Sequence, residues 1–296
     1  METSQLEQLV RSSLAQVYAA PVVRVDDDRV LVLGGKALER ARNSAQDAGL
    51  DRADERVDAI DFAVLPWYAV PAAGMQLWRQ HGSAGSTGEM VTELLDGDPP
   101  VQVIAAHESW QLIRTIDGAT GWLAPEAANE VAHTDQVAAP GADVMTLPGE
   151  FNSDAFAATC ETFVGVPYRW GGVAPAGVDC SGLVQRAAYM SNQCWLPRHS
   201  THLMHIGQRV APSAMSRGDV LVLRRDMSTI EEDAPVPSRS VGGRHPMHVA
   251  VALDTGTVVH ASRDAWSVIT EPASALRERY RVLAVRRLGT SGGGVA

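Results

Sequence analysis

Gly165-Val-Pro-Tyr-Arg-Trp-Gly-Gly-Val-Ala-Pro-Ala-Gly-Val-Asp-Cys-Ser-Gly-Leu-Val-Gln-Arg-Ala-Ala-Tyr-Met190 reads as a glycine-rich, aromatic loop that runs into a helix. Gly171, Gly172 and Gly177 permit a backbone path that residues with a Cβ resist. Asp179 is a good helix N-cap, which puts Cys180 at the first helical position. Leu183, Val184, Ala187, Ala188 and Met190 then recur at helical spacing and can face a core. One thiol therefore sits at the positive end of a helix beneath an open loop. The unpaired N–H groups of a first turn favour a thiolate, so a lowered pKa is expected for Cys180.

A nucleophilic thiol needs a base, and the base needs a group to orient it. Residues 248–260 read His-Val-Ala-Val-Ala-Leu-Asp-Thr-Gly-Thr-Val-Val-His, two β-rich runs around Asp254-Thr255-Gly256. A three-residue turn there puts His248 and His260 on one face, with His260 opposite Ala250; a two-residue turn would separate them. His260 is then the diagonal neighbour of His248, within side-chain reach. Glycine at the third turn position is expected to take the left-handed conformation of a three-residue hairpin loop.

Five segments in order resemble the successive motifs of the NlpC/P60 cysteine peptidases. They are Tyr168-Arg-Trp-Gly-Gly, Asp179-Cys180-Ser181-Gly182-Leu183-Val184, Leu196-Pro197-Arg198, Arg217-Gly218-Asp219-Val220-Leu221 and His248-Val249-Ala250-Val251. The resemblance implies a papain-like α+β fold, with a helical half carrying the cysteine packed on an antiparallel sheet carrying the histidine. It implies hydrolysis of γ-D-glutamyl–diamino acid bonds in bacterial cell-wall (murein) peptides. By position it makes Cys180 the nucleophile, His248 the base and His260 the orienting group. Tyr168 then contributes a hydroxyl near the oxyanion, and Asp179 and Ser181 line the D-glutamyl subsite. The same site chemistry also serves amidases and acyltransferases, and a binding module with idle chemistry is the reading from another class.

Two departures matter. After Leu-Pro-Arg, members that cut free murein peptides often carry Asp-Ser, whose aspartate helps hold a free amino terminus; here the pair is His199-Ser200. The stretch from Arg224 to Met247 is longer than the family needs and reads as a loop entering beside the site, with a substrate gate as its functional reading. His199, His202 and His205 sit three apart, but two such steps drift round a helix by about 240°. No metal site and no cofactor are expected, though His199 and Ser200 remain candidate substrate contacts.

The N-terminal half is less legible. Residues 88–130 hold short alternating runs broken by Asp-Gly turns, and the order ending in Asp117-Gly118 and Gly121-Trp122 resembles bacterial SH3 (SH3b) barrels. Residues 12–20 read as the first strand of that barrel, with residues 22–87 as a long insertion; a separate small subdomain is the other reading. Trp67 and Tyr68 could then reach toward Cys180, with core packing as their other role. The expected divisions are 1–135 for the SH3b-like domain, 136–148 for a linker, 149–288 for the catalytic domain and 289–296 for a disordered tail.

The chain has 296 residues, 45% of them hydrophobic, and a net charge of −10. That charge argues against nucleic acid or anionic membrane surfaces as partners, and no run approaches the length of a membrane span. The three cysteines, Cys160, Cys180 and Cys194, make no disulfide framework. Cys160, in a helix expected at about 153–164, and Cys194 are expected to be structural. The N-terminal residues show neither the basic region nor the apolar run of a signal peptide. If Met1 is the native start, a cytoplasmic protein acting on recycled murein peptides is expected; if a signal peptide was removed, a secreted or periplasmic one.

Overall fold

The computed structural model describes residues 3–15, 23–26, 29–32, 36–48, 56–80, 89–145, 147–148, 150–225 and 247–289. Leu6 and Val10, one helical turn apart, face the same way in α1 (Thr3–Ala15). They pack on Ala41 and Ala45 of α2 (Lys36–Asp47) and on a three-stranded sheet of β1 (Val23–Asp26), β2 (Arg29–Val32) and β3 (Val57–Ala59). Of the expected first strand at 12–20, residues 12–15 are instead the end of α1, and 16–20 lie outside the described residues. The apolar period of 3.6 through Leu6 and Val10 prevails over the strand reading. The described residues of α1, α2 and these strands thus share one hydrophobic cluster.

The next unit holds β4 (Trp67–Tyr68), β5 (Met75–Trp78), β6 (Met90–Leu94), β7 (Val101–His107), β8 (Trp110–Arg114), β9 (Thr120–Leu123), α3 (Pro125–Ala132) and β10 (Gln136–Val137). The strands form one sheet in the order β10-β4-β7-β8-β9-β5-β6. Two strands therefore come from the segment expected to be an insertion, and the expected linker opens with a strand paired to β4. The expected SH3b barrel is not found: among the described residues, β10 and β6 end the sheet without pairing to each other. The loop before Cys180 comes close to β6. Gly171 adopts φ +76° there, and a Cβ on it would lie 2.5 Å from the Met90 carbonyl oxygen.

The C-terminal half runs α4 (Ser153–Glu161), β11 (Val173–Ala174), β12 (Gly177–Val178), α5 (Cys180–Asn192), β13 (Gln208–Val210), β14 (Val220–Arg225), β15 (Met247–Ala252), β16 (Thr257–Ser262), β17 (Ser267–Pro272), α6 (Ala273–Arg279) and β18 (Tyr280–Arg287). Its six-stranded sheet, ordered β13-β18-β14-β15-β16-β17, is antiparallel throughout. Alternation along each strand covers both faces. Val220, Val222, Val249, Val251 and Val259 meet α4 and α5 through Phe156, Cys160, Leu183 and Ala187. Leu221, Leu223, Ala250 and Val258 meet Leu276 of α6 and Tyr280 on the other side. Cys160 and Cys194 are buried and form no disulfide. Residues 226–246 and 290–296, which include most of the candidate gate and the expected tail, lie outside the described residues.

Carboxylates of the seven-stranded sheet dock the two halves. Asp98 holds Arg186 of α5 through bonds of 2.6 and 2.7 Å. Glu93 accepts the N–H groups of Val173 and Ala174 at 3.0 Å each, and Asp117 accepts the N–H of Arg198 at 2.7 Å. Ser181 through Ala188 are all buried, so Gln185 and Arg186 have no solvent face and must find internal partners. Gln185 donates to the Leu196 carbonyl at 2.6 Å.

Candidate active site

Cys180 opens α5. Its N-cap, Asp179, is extended (φ −95°, ψ 179°) and accepts the Gly182 N–H at 2.7 Å. The other oxygen of Asp179 accepts the Gly171 N–H at 2.8 Å, tying the loop to the helix start. A Cβ on Gly182 would lie 2.1 Å from the Gly172 carbonyl oxygen, so loop and helix approach as closely as backbone allows. Arg198 closes the arrangement: it donates to both oxygens of Asp179, at 2.9 and 2.6 Å, and to the Ser181 hydroxyl at 2.9 Å.

Asp179 and Ser181, expected at a substrate subsite, are thus committed to internal bonds and are 7% and 6% exposed. Both still border the cleft over Cys180. The cleft is also lined by Tyr168, His199, Ser200 and His248, so all the candidates but His260 share its wall. Trp67 and Tyr68 are not among the lining residues; Arg79 and Val91 come from that half instead. Arg263 enters from the β16–β17 turn, its guanidinium 5.5 Å over the Trp170 ring.

His248 starts β15, and the β15–β16 register Val251↔Val259, Ala252↔Val258 sets His260 level with Ala250. The connecting turn has three residues, 254–256, as expected, yet Gly256 is not among the positive-φ residues. The Asp254 side chain closes the turn instead, accepting the N–H groups of Gly256 at 2.6 Å and Thr257 at 2.7 Å. His248 Nε2 lies 2.8 Å from His260 Nδ1. Tyr280 stacks on the His248 ring at 4.9 Å, fixing its plane from the other side.

The electrostatics differ from the helix-end expectation. The Cys180 thiol is pushed up to about 12 by desolvation and by the Asp179 carboxylate. The N–H groups of Val249 and Ser181 and the Arg198 charge pull it down, but they do not outweigh burial. His248 is held well below the usual imidazole range by burial, His260 and the surrounding arginines. Both shifts favour the uncharged forms, a thiol and an imidazole able to accept a proton. Desolvation and the charges at Cys180 and Asp179 raise the Tyr168 phenol, which stays a hydrogen-bond donor. Burial and Arg198 lower His199.

The geometry matches what the comparisons find. Residues 165–287 match the model of the NlpC/P60 family. This part of the chain is similar to NlpC/P60 domains. A probable endopeptidase of Mycobacterium tuberculosis strain H37Rv is 39% identical over 101 residues, 34% of this chain and 21% of the relative. A gamma-DL-glutamyl hydrolase of Bacillus subtilis is 39% identical over 107 residues, 36% of this chain and 25% of the relative. A gamma-D-glutamyl-L-lysine dipeptidyl-peptidase of Bacillus cereus is 25% identical over 152 residues, 51% of this chain and 38% of the relative. The chain thus aligns with well under half the length of these curated relatives. Among the described residues, no helix is long and apolar enough to cross a membrane.

Sequence reading assigned no role to Arg198, Arg263, Tyr280 or Glu271. Arg198 was visible as the last residue of Leu196-Pro197-Arg198, but nothing in the spacing said that it would pair with the N-cap. Glu271 was reachable only through the register of β16 and β17.

Proposed function

We propose that the protein is a cysteine hydrolase cutting γ-D-glutamyl–diamino acid bonds in bacterial cell-wall peptides. The observation that carries this reading is one cleft holding a helix-opening cysteine and a histidine hydrogen-bonded to a second histidine at 2.8 Å. In this reading the Cys180 sulfur attacks the γ-glutamyl carbonyl while His248 takes the thiol proton. The N–H of Cys180 and the Tyr168 hydroxyl face the developing oxyanion. His248 gives its proton to the leaving amine as the C–N bond breaks, leaving an acyl-enzyme. Water then attacks the thioester, His248 takes the water proton, and the thiol is reformed. His260 orients His248 throughout. Support for the bond class comes from two relatives, one named a glutamyl hydrolase and one a glutamyl-lysine dipeptidyl-peptidase.

Incubation with L-Ala-γ-D-Glu-diaminopimelate and with its N-acetylated form, read by mass spectrometry, tests the reading. Cleavage of the free-amine peptide alone means an enzyme of recycled peptides whose amine pocket works without an aspartate at 199. Cleavage of both means a broader or wall-directed enzyme. Cleavage of neither removes the proposal.

A further inference from the structure

The relay does not stop at His260. Strand β17 pairs with β16 in the register Val258↔Glu271 and His260↔Ile269, so Glu271 is the diagonal neighbour of His260 on the same face. His248, His260 and Glu271 thus lie on three adjacent strands, each one diagonal step from the next. His260 Nε2 is 2.8 Å from Glu271 Oε1, beside the 2.8 Å contact between His260 Nδ1 and His248 Nε2. The His260 side chain is 1% exposed and that of Glu271 12%.

Proton positions follow from counting donors. Arg279 Nη2 donates to the same Oε1 of Glu271, and a guanidinium has no acceptor. That oxygen therefore accepts from both sides, and the proton between Glu271 and His260 sits on His260 Nε2. Burial lowers His260 and His248 alike, so each neutral ring carries one proton. His260 Nδ1 is then a lone pair, and the short contact to His248 requires a proton on His248 Nε2. The nitrogen of His248 left for the cleft, Nδ1, is therefore the one without a proton. Reversing the first assignment reverses all of them and turns an N–H toward the thiol, which disables the base.

We propose that Glu271 is a positioning residue that sets the tautomers of His260 and His248, so that His248 presents an unprotonated Nδ1 to Cys180. The proposal rests on the reading of Cys180 and His248 as nucleophile and base. Arg279 holds the Glu271 carboxylate in place and is itself flanked by Asp264 at 3.8 Å, which pairs with Arg225 at 2.8 Å. As His248 takes the thiol proton it becomes a cation bonded to His260, and the negative charge behind His260 then stabilises it.

The test is a long-range ¹H–¹⁵N spectrum of the whole protein with labelled histidines, together with steady-state kinetics of Glu271→Ala and Glu271→Gln. The expected spectrum shows both His248 and His260 protonated at Nε2 and bare at Nδ1. In Glu271→Ala the His260 signals become a mixture of tautomers, and kcat falls roughly ten- to a hundredfold with KM within about twofold. Glu271→Gln, whose amide oxygen can still accept from Nε2, recovers part of the loss. A wild-type His260 protonated at Nδ1, or a Glu271→Ala variant with unchanged tautomers and unchanged kcat, overturns the assignment. The spectrum is read on resting protein, so a wild type that cleaves no γ-glutamyl peptide counts against the proposed reaction and not against the tautomers.

Discussion

Asp179 lines the cleft and is also held by internal bonds, and Asp179→Ala separates a substrate role from a structural one. As a substrate contact, it would cost binding and little else. In the structure it is an internal strut: it caps α5, ties Gly171 to the helix and neutralises Arg198, whose side chain is 4% exposed. Losing an N-cap costs about 1 kcal/mol. Leaving a buried guanidinium without its counter-charge costs about 3–5 kcal/mol. Both losses arise from one carboxylate, so they overlap, and about 4 kcal/mol is a fair joint figure. An unfolding entropy of about 2.1 cal/mol/K per residue gives about 0.6 kcal/mol per kelvin for 296 residues. The melting temperature should therefore drop by about 7 °C. Scanning calorimetry measures the drop, and steady-state kinetics on a γ-glutamyl peptide measures the companion effect, a fall in kcat as Cys180 loses its anchor. Asp179→Asn keeps the cap acceptor and should fall between. A variant melting within about 1 °C of wild type with only a raised KM would refute the reasoning.

Four further outcomes follow from the same geometry. His248→Gln should lower kcat/KM by at least the 10²- to 10⁴-fold usual for a general base, and His260→Ala should cost less, since its ring orients without exchanging the proton; progress curves on one substrate decide the order. With the thiol pushed up to about 12 from an ordinary 9.0, the thiolate fraction at pH 7 is about a thousandfold below that of a free thiol. Cys180 alkylation by iodoacetamide should therefore rise about tenfold per pH unit from pH 6 to 9, and a plateau across that range would instead mean a preformed thiolate–imidazolium pair. His248, shifted downward, keeps its base form at pH values where an ordinary imidazole is protonated, so the acid limb of kcat/KM should lie below the usual 6.5. Gly182→Ala sets a Cβ against the Gly172 carbonyl oxygen, a clash of backbone with backbone that should cost about 1–3 kcal/mol by overpacking and show as a lower denaturation midpoint.

The site was legible where local rules act alone. An aspartate before a helix start, glycines where backbones touch, and two histidines separated by an even number of residues and a turn can all be read off neighbouring positions. The left-handed Gly256 was misread because Asp254 closes the turn with its side chain, an alternative the spacing does not distinguish. The Cys180 thiol was misread because a helix end is visible in sequence and desolvation is not. Arg198 and the Val249 N–H, which pull the thiol down, also meet it only in three dimensions. The same holds for the N-terminal half: among the described residues its strands form one sheet that β10 and β6 end without pairing to each other, which short alternating runs do not announce. Residues 3–15 carried a helical period that outweighed the strand reading of 12–20.

The most direct test of the whole account is intact-protein and peptide mass spectrometry on samples quenched early in the reaction with L-Ala-γ-D-Glu-diaminopimelate. The account predicts free diaminopimelate as product and an L-Ala-γ-D-glutamyl adduct on the peptide containing Cys180, with both absent from Cys180→Ala. Undiminished cleavage by Cys180→Ala, or an adduct on another residue, would contradict it.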